Sequence, residues 1–212
     1  MQAQREEKER VVRNKQEVQD CFPEDRSLLS QSELEYYNLL ERDGDQEAVR
    51  YLYGLALHHL KEQETSEAAR VLDCALRRIE RSSAGEASAK EARSKFKGEY
   101  EKIFKGEPYE QVMVYLLRGL LYMGDGDFEN ARALFRTGAL KDRSSEESAA
   151  GEQYNADTAE FDYLEALCNA KLHDAKAEDC YRFAQEHARN AAGLPAPTED
   201  FNALLVFMAG LG

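Results

Sequence analysis

Little in this chain favours β-structure or a disulfide-built fold. Its 212 residues include only 4 Pro and 4 Cys. Runs of Val, Ile and Thr are almost absent, so an all-β arrangement has little to build on. The thiols at Cys21, Cys74, Cys168 and Cys180 are scattered, with no Cys-x-x-Cys pair. So few thiols in so long a chain argue against a disulfide framework. No stretch stays apolar for the roughly 18 residues that a membrane-spanning helix needs. The first 20 residues, MQAQREEKERVVRNKQEVQD, lack the apolar centre of a secretory signal. Positive charge is also in deficit: 28 Lys and Arg stand against 41 Asp and Glu, a formal net charge of -13. Such a field repels a phosphate backbone and disfavours nucleic acid as a partner.

What the chain does have is Ala, Leu, Glu, Lys and Arg, which are helix formers. Hydrophobic residues make up 42% and charged residues 33%. That is rich in surface for its core, as in a thin helical array. We therefore expect an all-α fold.

The organising stretch is Gly106 to Asp142. It reads as a helix from Pro108 to Met123, a turn over Gly124-Asp125-Gly126-Asp127, and a helix from Phe128 to Leu140. Pro108 suits a first helical turn, where its missing N–H costs nothing. Upstream, Ser30 or Ser32 caps a helix over Glu33–Arg42, and Asp43-Gly44-Asp45 turns the chain. A helix over Gln46–Lys61 follows, then Thr65-Ser66 caps another over Glu67–Arg81, whose Ala68, Val71, Leu72, Ala75, Leu76 and Ile79 recur with a helical period. Downstream, Asp157 or Thr158 opens a helix to Leu172, His173-Asp174 turns, and a helix over Ala175–Ala192 ends at Gly193-Leu-Pro-Ala-Pro. Residues 82–94 and 143–156 read as connectors, and 96–104 as an amphipathic segment. The expected domains are a charged arm over 1–29, a helical repeat domain over 30–192, and a linker with an apolar segment over 193–212.

The central pair carries Tyr115, Gly119, Tyr122, Ala131 and Phe135: a large ring, a small residue, a ring, a small residue and a ring. In this it resembles the tetratricopeptide repeat. Small residues at 119 and 131 let two helix backbones approach, and the rings fill the space around them. Gly138 stands where that family has Ala, and Arg143 where it has Pro. Looser copies are Leu52, Ala56, His59, Ala68, Leu72 and Ala75 upstream, and Phe161, Leu164, Cys168, Ala177, Tyr181 and Ala184 downstream, with Glu165 at the small position. The resemblance implies a right-handed array of antiparallel helical hairpins, a tetratricopeptide-like α-solenoid. Gly106-Glu107-Pro108-Tyr109-Glu110, Arg118-Gly119-Leu120-Leu121-Tyr122, Gly126-Asp127, Glu129-Asn130-Ala131-Arg132, Phe161-Asp162-Tyr163-Leu164 and Gly210-Leu211-Gly212 are similar to a poorly characterised bacterial group of such proteins, often exported or lipid-anchored. That likeness implies a trimmed chain and no enzymatic role. The polar first 20 residues lead to the cytoplasm as the chain stands; the likeness implies the periplasmic side of the envelope if an export signal has been removed.

The binding face of such an array is a groove lined by the first helix of each hairpin. Helical spacing puts Met113, Leu116, Leu120 and Met123 there, with Tyr53 and Leu57 before them and Asp162 after. Its occupant is either a partner's helix or strand, or the chain's own 96–104 segment or apolar tail. Repeats of this family that grip a C-terminal carboxylate carry Lys and Asn where this chain has Leu116 and Leu120. Asp125, Asp127 and Glu129 hint at a calcium loop, but Asn130 and Arg136 occupy the places that need Gly and a carboxylate. His58 and His59 diverge on a helix. Cys168 with His173 or Cys180 supplies two zinc ligands at most. The two thiols read as small buried hydrophobes, and as a disulfide worth testing if the protein is exported. No nucleophile elbow, phosphate loop or dinucleotide fingerprint is present.

These readings lead to a non-catalytic protein-interaction scaffold with a protein partner, and no cofactor, metal, nucleic acid or membrane span. A structural subunit of an envelope assembly, docking through its apolar tail, is the first alternative. A helical-bundle enzyme or metal protein is the second.

Overall fold

The structure, a computed structural model, describes residues 21–23, 25–91, 108–148, 159–188, 194–201 and 204. The polar run 1–20, the amphipathic segment 96–104 and most of the apolar tail lie outside the described residues. The described residues form six α-helices and one short 3-10 turn, Arg26–Leu28, with no strand among them. The helices are α1 (Gln31–Lys61), α2 (Thr65–Glu91), α3 (Pro108–Gly124), α4 (Phe128–Ser148), α5 (Ala159–Lys171) and α6 (Lys176–His187). The protein is therefore all-α.

Helix α1 opens with a capping box. The Ser30 hydroxyl accepts from the Glu33 N–H, and the Glu33 carboxylate accepts from the Ser30 N–H. The helix spans Gln31–Lys61, yet the chain doubles back within it. A Glu33 carboxylate oxygen lies 3.7 Å from Nε2 of His59, 26 residues later, whereas a straight helix would carry them about 39 Å apart. The Tyr36 ring likewise lies against Gly54, where an added Cβ would meet its hydroxyl at 2.9 Å. Both pairs centre near residue 45, so the reversal falls at Asp43-Gly44-Asp45, the turn expected from sequence.

Three later turns are built alike. The N–H of Glu64 bonds the His59 carbonyl and that of Gln63 the Leu60 carbonyl. Asp127 and Gly126 bond Tyr122 and Met123 in the same way, and Asp174 and His173 bond Asn169 and Ala170. Each pair closes a Schellman C-cap, whose C′ residue takes a left-handed conformation. That residue is Gln63 (φ 64°), Gly126 (φ 79°) or His173 (φ 54°). Three residues before the first acceptor of each turn stand Ala56, Gly119 and Ala166, all buried. Counted from the shared turn, Ala166 rather than Glu165 thus matches Gly119. The third unit then diverges, because Ala177 bonds Asp174 three residues back, where Ala68 and Ala131 bond four residues back to Glu64 and Asp127.

Two helices outrun their expected ends. Helix α2 continues from Arg81 to Glu91, and α4 from Leu140 to Ser148. The added residues carry little apolar pattern, but they are rich in Ala, Glu, Ser and Lys, whose helix cost is small. Helix α2 also starts at Thr65 itself rather than at Glu67. Helix α6 stops at His187, where Ala188 turns extended (φ -71°, ψ 131°).

The chain divides into two compact units, Met1–Leu121 and Tyr122–Gly212. In the first, Val49, Leu52, Leu55 and Ala56 of α1 are buried, with Val71, Leu72, Ala75 and Ile79 of α2 and Val114, Tyr115 and Leu117 of α3. The buried Arg118 of α3 donates to both carboxylate oxygens of Asp73 on α2, at 2.7 and 3.3 Å. In the second unit, Ala131, Phe135, Ala166, Cys168 and Ala184 are wholly buried, and the Phe135 and Phe161 rings lie 6.4 Å apart. Partner numbers fall along α5 as they rise along α4: Arg132 meets Asn169, and Arg136 meets Glu165. They do the same from α5 to α6, where Asn169 meets Cys180 and Asp162 meets His187.

Two substitutions test this packing. Phe135→Ala is expected to cost about 3–5 kcal/mol, by deleting a ring that no relaxation of the core can replace. Gly126→Ala should cost about 1–2 kcal/mol through backbone strain, because a Cβ there meets no atom within 4 Å. Equilibrium denaturant unfolding reads both, and wild-type stability in either variant would contradict the packing or the turn.

Candidate protein-binding faces

Along α3, Met113, Leu116 and Leu120 are half-exposed and fall on one stripe with the exposed Tyr109. The rest of the helix circumference up to Leu121 is more deeply buried, through Val112, Val114, Tyr115, Leu117, Arg118 and Gly119. Tyr53 and Leu57 of α1, one helical turn apart, are half-exposed as well. Burial raises the Tyr53 pKa, and the nearby Tyr109 and Glu110 raise it further. That coupling puts the α1 face beside the start of α3. Five of the seven residues expected to line a groove thus share the first unit's surface. Met123 is buried in the second unit.

Asp162, the remaining groove candidate, is buried. Its carboxylate lies 3.0 Å from Nδ1 of His187 on α6 and 3.7 Å from the Arg143 guanidinium on α4. Its neighbours behave alike. Glu165 is buried and accepts from Nε of Arg136 at 3.0 Å, and Nη2 of Arg136 closes on the same oxygen. Hydrogen bonding to Glu165, then its charge, raises the Arg136 pKa. Asn169, wholly buried, accepts from Arg132 at 3.0 Å and donates to the Cys180 sulfur. An acidic side chain inside this unit is tolerated because a cation from a neighbouring helix meets it. Periodicity marks such positions as inward-facing. It cannot say that their partners come from helices some 30 residues away.

A second face lies on α5 and α6. Here the segment 194–201 is laid against the helices. The Tyr181 hydroxyl donates to the Leu194 carbonyl at 2.8 Å, the Tyr163 hydroxyl to the Pro195 carbonyl at 3.1 Å, and the Lys171 ammonium to the Glu199 carbonyl at 2.7 Å. The Phe201 ring meets Phe128 edge-on at 6.4 Å, with Nζ of Lys171 4.5 Å from its centre. The Glu199 carboxylate pairs with His173 at 2.7 Å. Part of the chain's own C-terminal region therefore covers an α5 surface. The residues that hold it were not among the expected groove positions. The available signal was Pro195-Ala196-Pro197 following a hairpin that carries two tyrosines.

The first unit has a cleft of about 740 Å³ near the start of α2, lined by Phe22, Glu33, His59, Glu64 and Arg70 among others. His59 is buried, with Nδ1 2.7 Å from Glu64. Arg70 donates to Glu67 at 2.8 Å and to the Cys21 carbonyl. Cys21 is bonded to Cys74 across a Cα–Cα distance of 5.9 Å. The pairing weighed from sequence was Cys168 with Cys180; the structure leaves those two free and instead bonds Cys21 to Cys74, one covalent bridge that ties the segment before α1 onto α2. Phe22 packs edge-on against Tyr37 at 5.4 Å, so Cys21 and Phe22 are docked on the first unit. Cys168 and Cys180 are unbonded. Burial first, then the Glu165 charge, pushes their pKa values to about 12 and about 11. Asp127 caps α4, accepting from the N–H and side-chain amide of Asn130 at 3.2 and 2.7 Å. Among the described residues no group of three or more His, Cys, Asp or Glu is arranged to hold a metal. No described helix is long and apolar enough to cross a membrane.

No protein-family model, no curated protein and no solved structure matches the chain.

Thiol titration checks the cysteine assignments. At pH 8 the native protein should react negligibly with iodoacetamide, since Cys168 and Cys180 stay protonated. Denaturant should release two thiols, and denaturant with dithiothreitol four. Reduction of Cys21–Cys74 should lower the unfolding free energy by about 2–4 kcal/mol. Four free thiols before reduction would refute the bridge.

Proposed function

We propose that this chain is a non-catalytic protein-interaction scaffold, built as a right-handed array of antiparallel helical hairpins of the tetratricopeptide kind. The observation that carries the reading is the half-exposed apolar stripe of Tyr109, Met113, Leu116 and Leu120, flanked by Tyr53 and Leu57. Apolar side chains of this size at helical spacing form a surface that a partner's amphipathic helix or extended segment can cover. The threefold Schellman turn, with a small buried residue three positions before its first acceptor, supports the repeat architecture. The opposed running of contacts from α4 to α5 to α6 supports the hairpin arrangement. The formal net charge of -13 favours a protein partner over nucleic acid. The Cys21–Cys74 bridge supports an oxidising compartment for the folded protein.

The test replaces Leu116 and Leu120 by Lys. Both positions are half-exposed, so the lysine stems can lie along the helix with their ammonium groups in water. Stability should stay within about 0.5 kcal/mol of wild type. Cross-linked partners that co-purify with the wild-type protein should be lost from the variant. Retention of the same partners at the same yield would refute the stripe as the binding face.

A further inference from the structure

We propose that the α5–α6 face carrying Tyr163, Lys171 and Tyr181 is a recognition site for an extended Pro-x-Pro segment followed by an acidic and an aromatic residue. Leu194–Phe201 holds that site in cis as one example of its ligand. This deepens the scaffold reading and rests on it.

The contacts have the character of peptide recognition rather than core packing. All three main-chain contacts are donations from side chains to carbonyls, at Leu194, Pro195 and Glu199. None of them depends on which side chain the segment bears. A segment read through its carbonyls is best served by proline, which has no N–H to satisfy and a fixed φ. Pro195 and Pro197 also press Leu194 and Ala196 toward extended conformations. The spacing fits an extended strand. Tyr163 and Lys171 lie eight residues apart on α5, about 12 Å along the axis. The carbonyls they hold, at 195 and 199, are four residues apart, about 12 Å in a polyproline-like chain. The segment therefore runs alongside α5 in the same direction as the helix.

Selectivity comes from the far end. The Glu199 carboxylate meets His173, and the Phe201 ring sits on Phe128 under the Lys171 ammonium. His173 reaches Glu199 from the left-handed position of the α5–α6 turn. The ligand class is thus an extended Pro-x-Pro stretch with a carboxylate two residues after the second proline and an aromatic two residues later. The cis hold rests on the three carbonyl contacts and the Phe201 ring rather than on the ion pair. The Glu199–His173 pair is 58% and 75% exposed, and pairs of that kind contribute little. An incoming segment competes only against the local concentration of the tethered one.

The experiment uses the full chain and a fluorescein-labelled peptide, LPAPTEDF, read by anisotropy. Wild-type protein should bind it weakly. Phe201→Ala loosens the cis segment and should tighten peptide binding by about tenfold. On that background, Tyr163→Phe with Tyr181→Phe removes two donated hydrogen bonds and should weaken binding by about tenfold. A peptide with both prolines replaced by glycine should bind at least as weakly. In case Phe201→Ala leaves the segment seated, the triple variant Pro195→Gly, Pro197→Gly, Phe201→Ala provides a second released form. Absence of peptide binding to both released forms overturns the proposal, and so does equal binding of the proline and glycine peptides. The lysine substitutions on α3 probe a different unit, so loss of this site and loss of the scaffold reading give separable results.

Discussion

A helix that ends in a Schellman cap commits the next helix to a start point, because the same residues close one helix and open the other. At Glu64, Asp127 and Asp174 the N–H completes the cap while the carbonyl receives the first bond of the following helix. The chain has no freedom to slide there. The register of each following helix is thereby set locally, by the turn itself. Gly126 takes the left-handed position without strain, whereas Gln63 and His173 take it against their own preference. The small residues Ala56, Gly119 and Ala166 inherit their buried places from that register.

Buried charge then selects which neighbours pack. Asp73 with Arg118 joins α2 to α3, and Glu165 with Arg136 joins α4 to α5. Asp162 sits between Arg143 and His187. In each pair one partner is buried and the other partly exposed, so the buried charge loses water and recovers part of that cost from a partner at the surface. What such pairs contribute is discrimination: a helix slipped by one residue would leave a carboxylate buried without a cation. In a chain with a formal net charge of -13, where carboxylates outnumber cations, that penalty applies at many alternative registers.

The edges of both units are closed by segments with no periodic pattern of their own. Cys21, Phe22 and Arg26 lie against the first unit through the Cys21–Cys74 bridge, the Phe22–Tyr37 contact and the Arg26 guanidinium, 2.9 Å from Glu41. Residues 194–201 lie against the second through tyrosine and lysine donors. Both are held by side chains of a finished helical surface, so neither can order before that surface exists. The α3 stripe is different, since α3 itself presents it.

The sequence alone determined that the described residues are helical and marked where the chain turns between them. Apolar spacing, Pro108 and the Asp-Gly turns act within a few residues, and local hydrogen bonding obeys them. It also placed Tyr115, Ala131 and Phe135 inside and Leu116 and Leu120 at a surface, because helical period is a local property. Only the tertiary structure decided the rest. Cys21 found Cys74 across 53 residues, a pairing that no spacing rule encodes. Ala166, counted from the turn, took the small position that a fixed offset assigns to Glu165, in a unit whose next helix opens with a three-residue bond from Ala177 to Asp174. Asp162 went inward because Arg143 and His187 were there to meet it, and Tyr163, Lys171 and Tyr181 became a peptide-holding face only once α5 and α6 lay side by side.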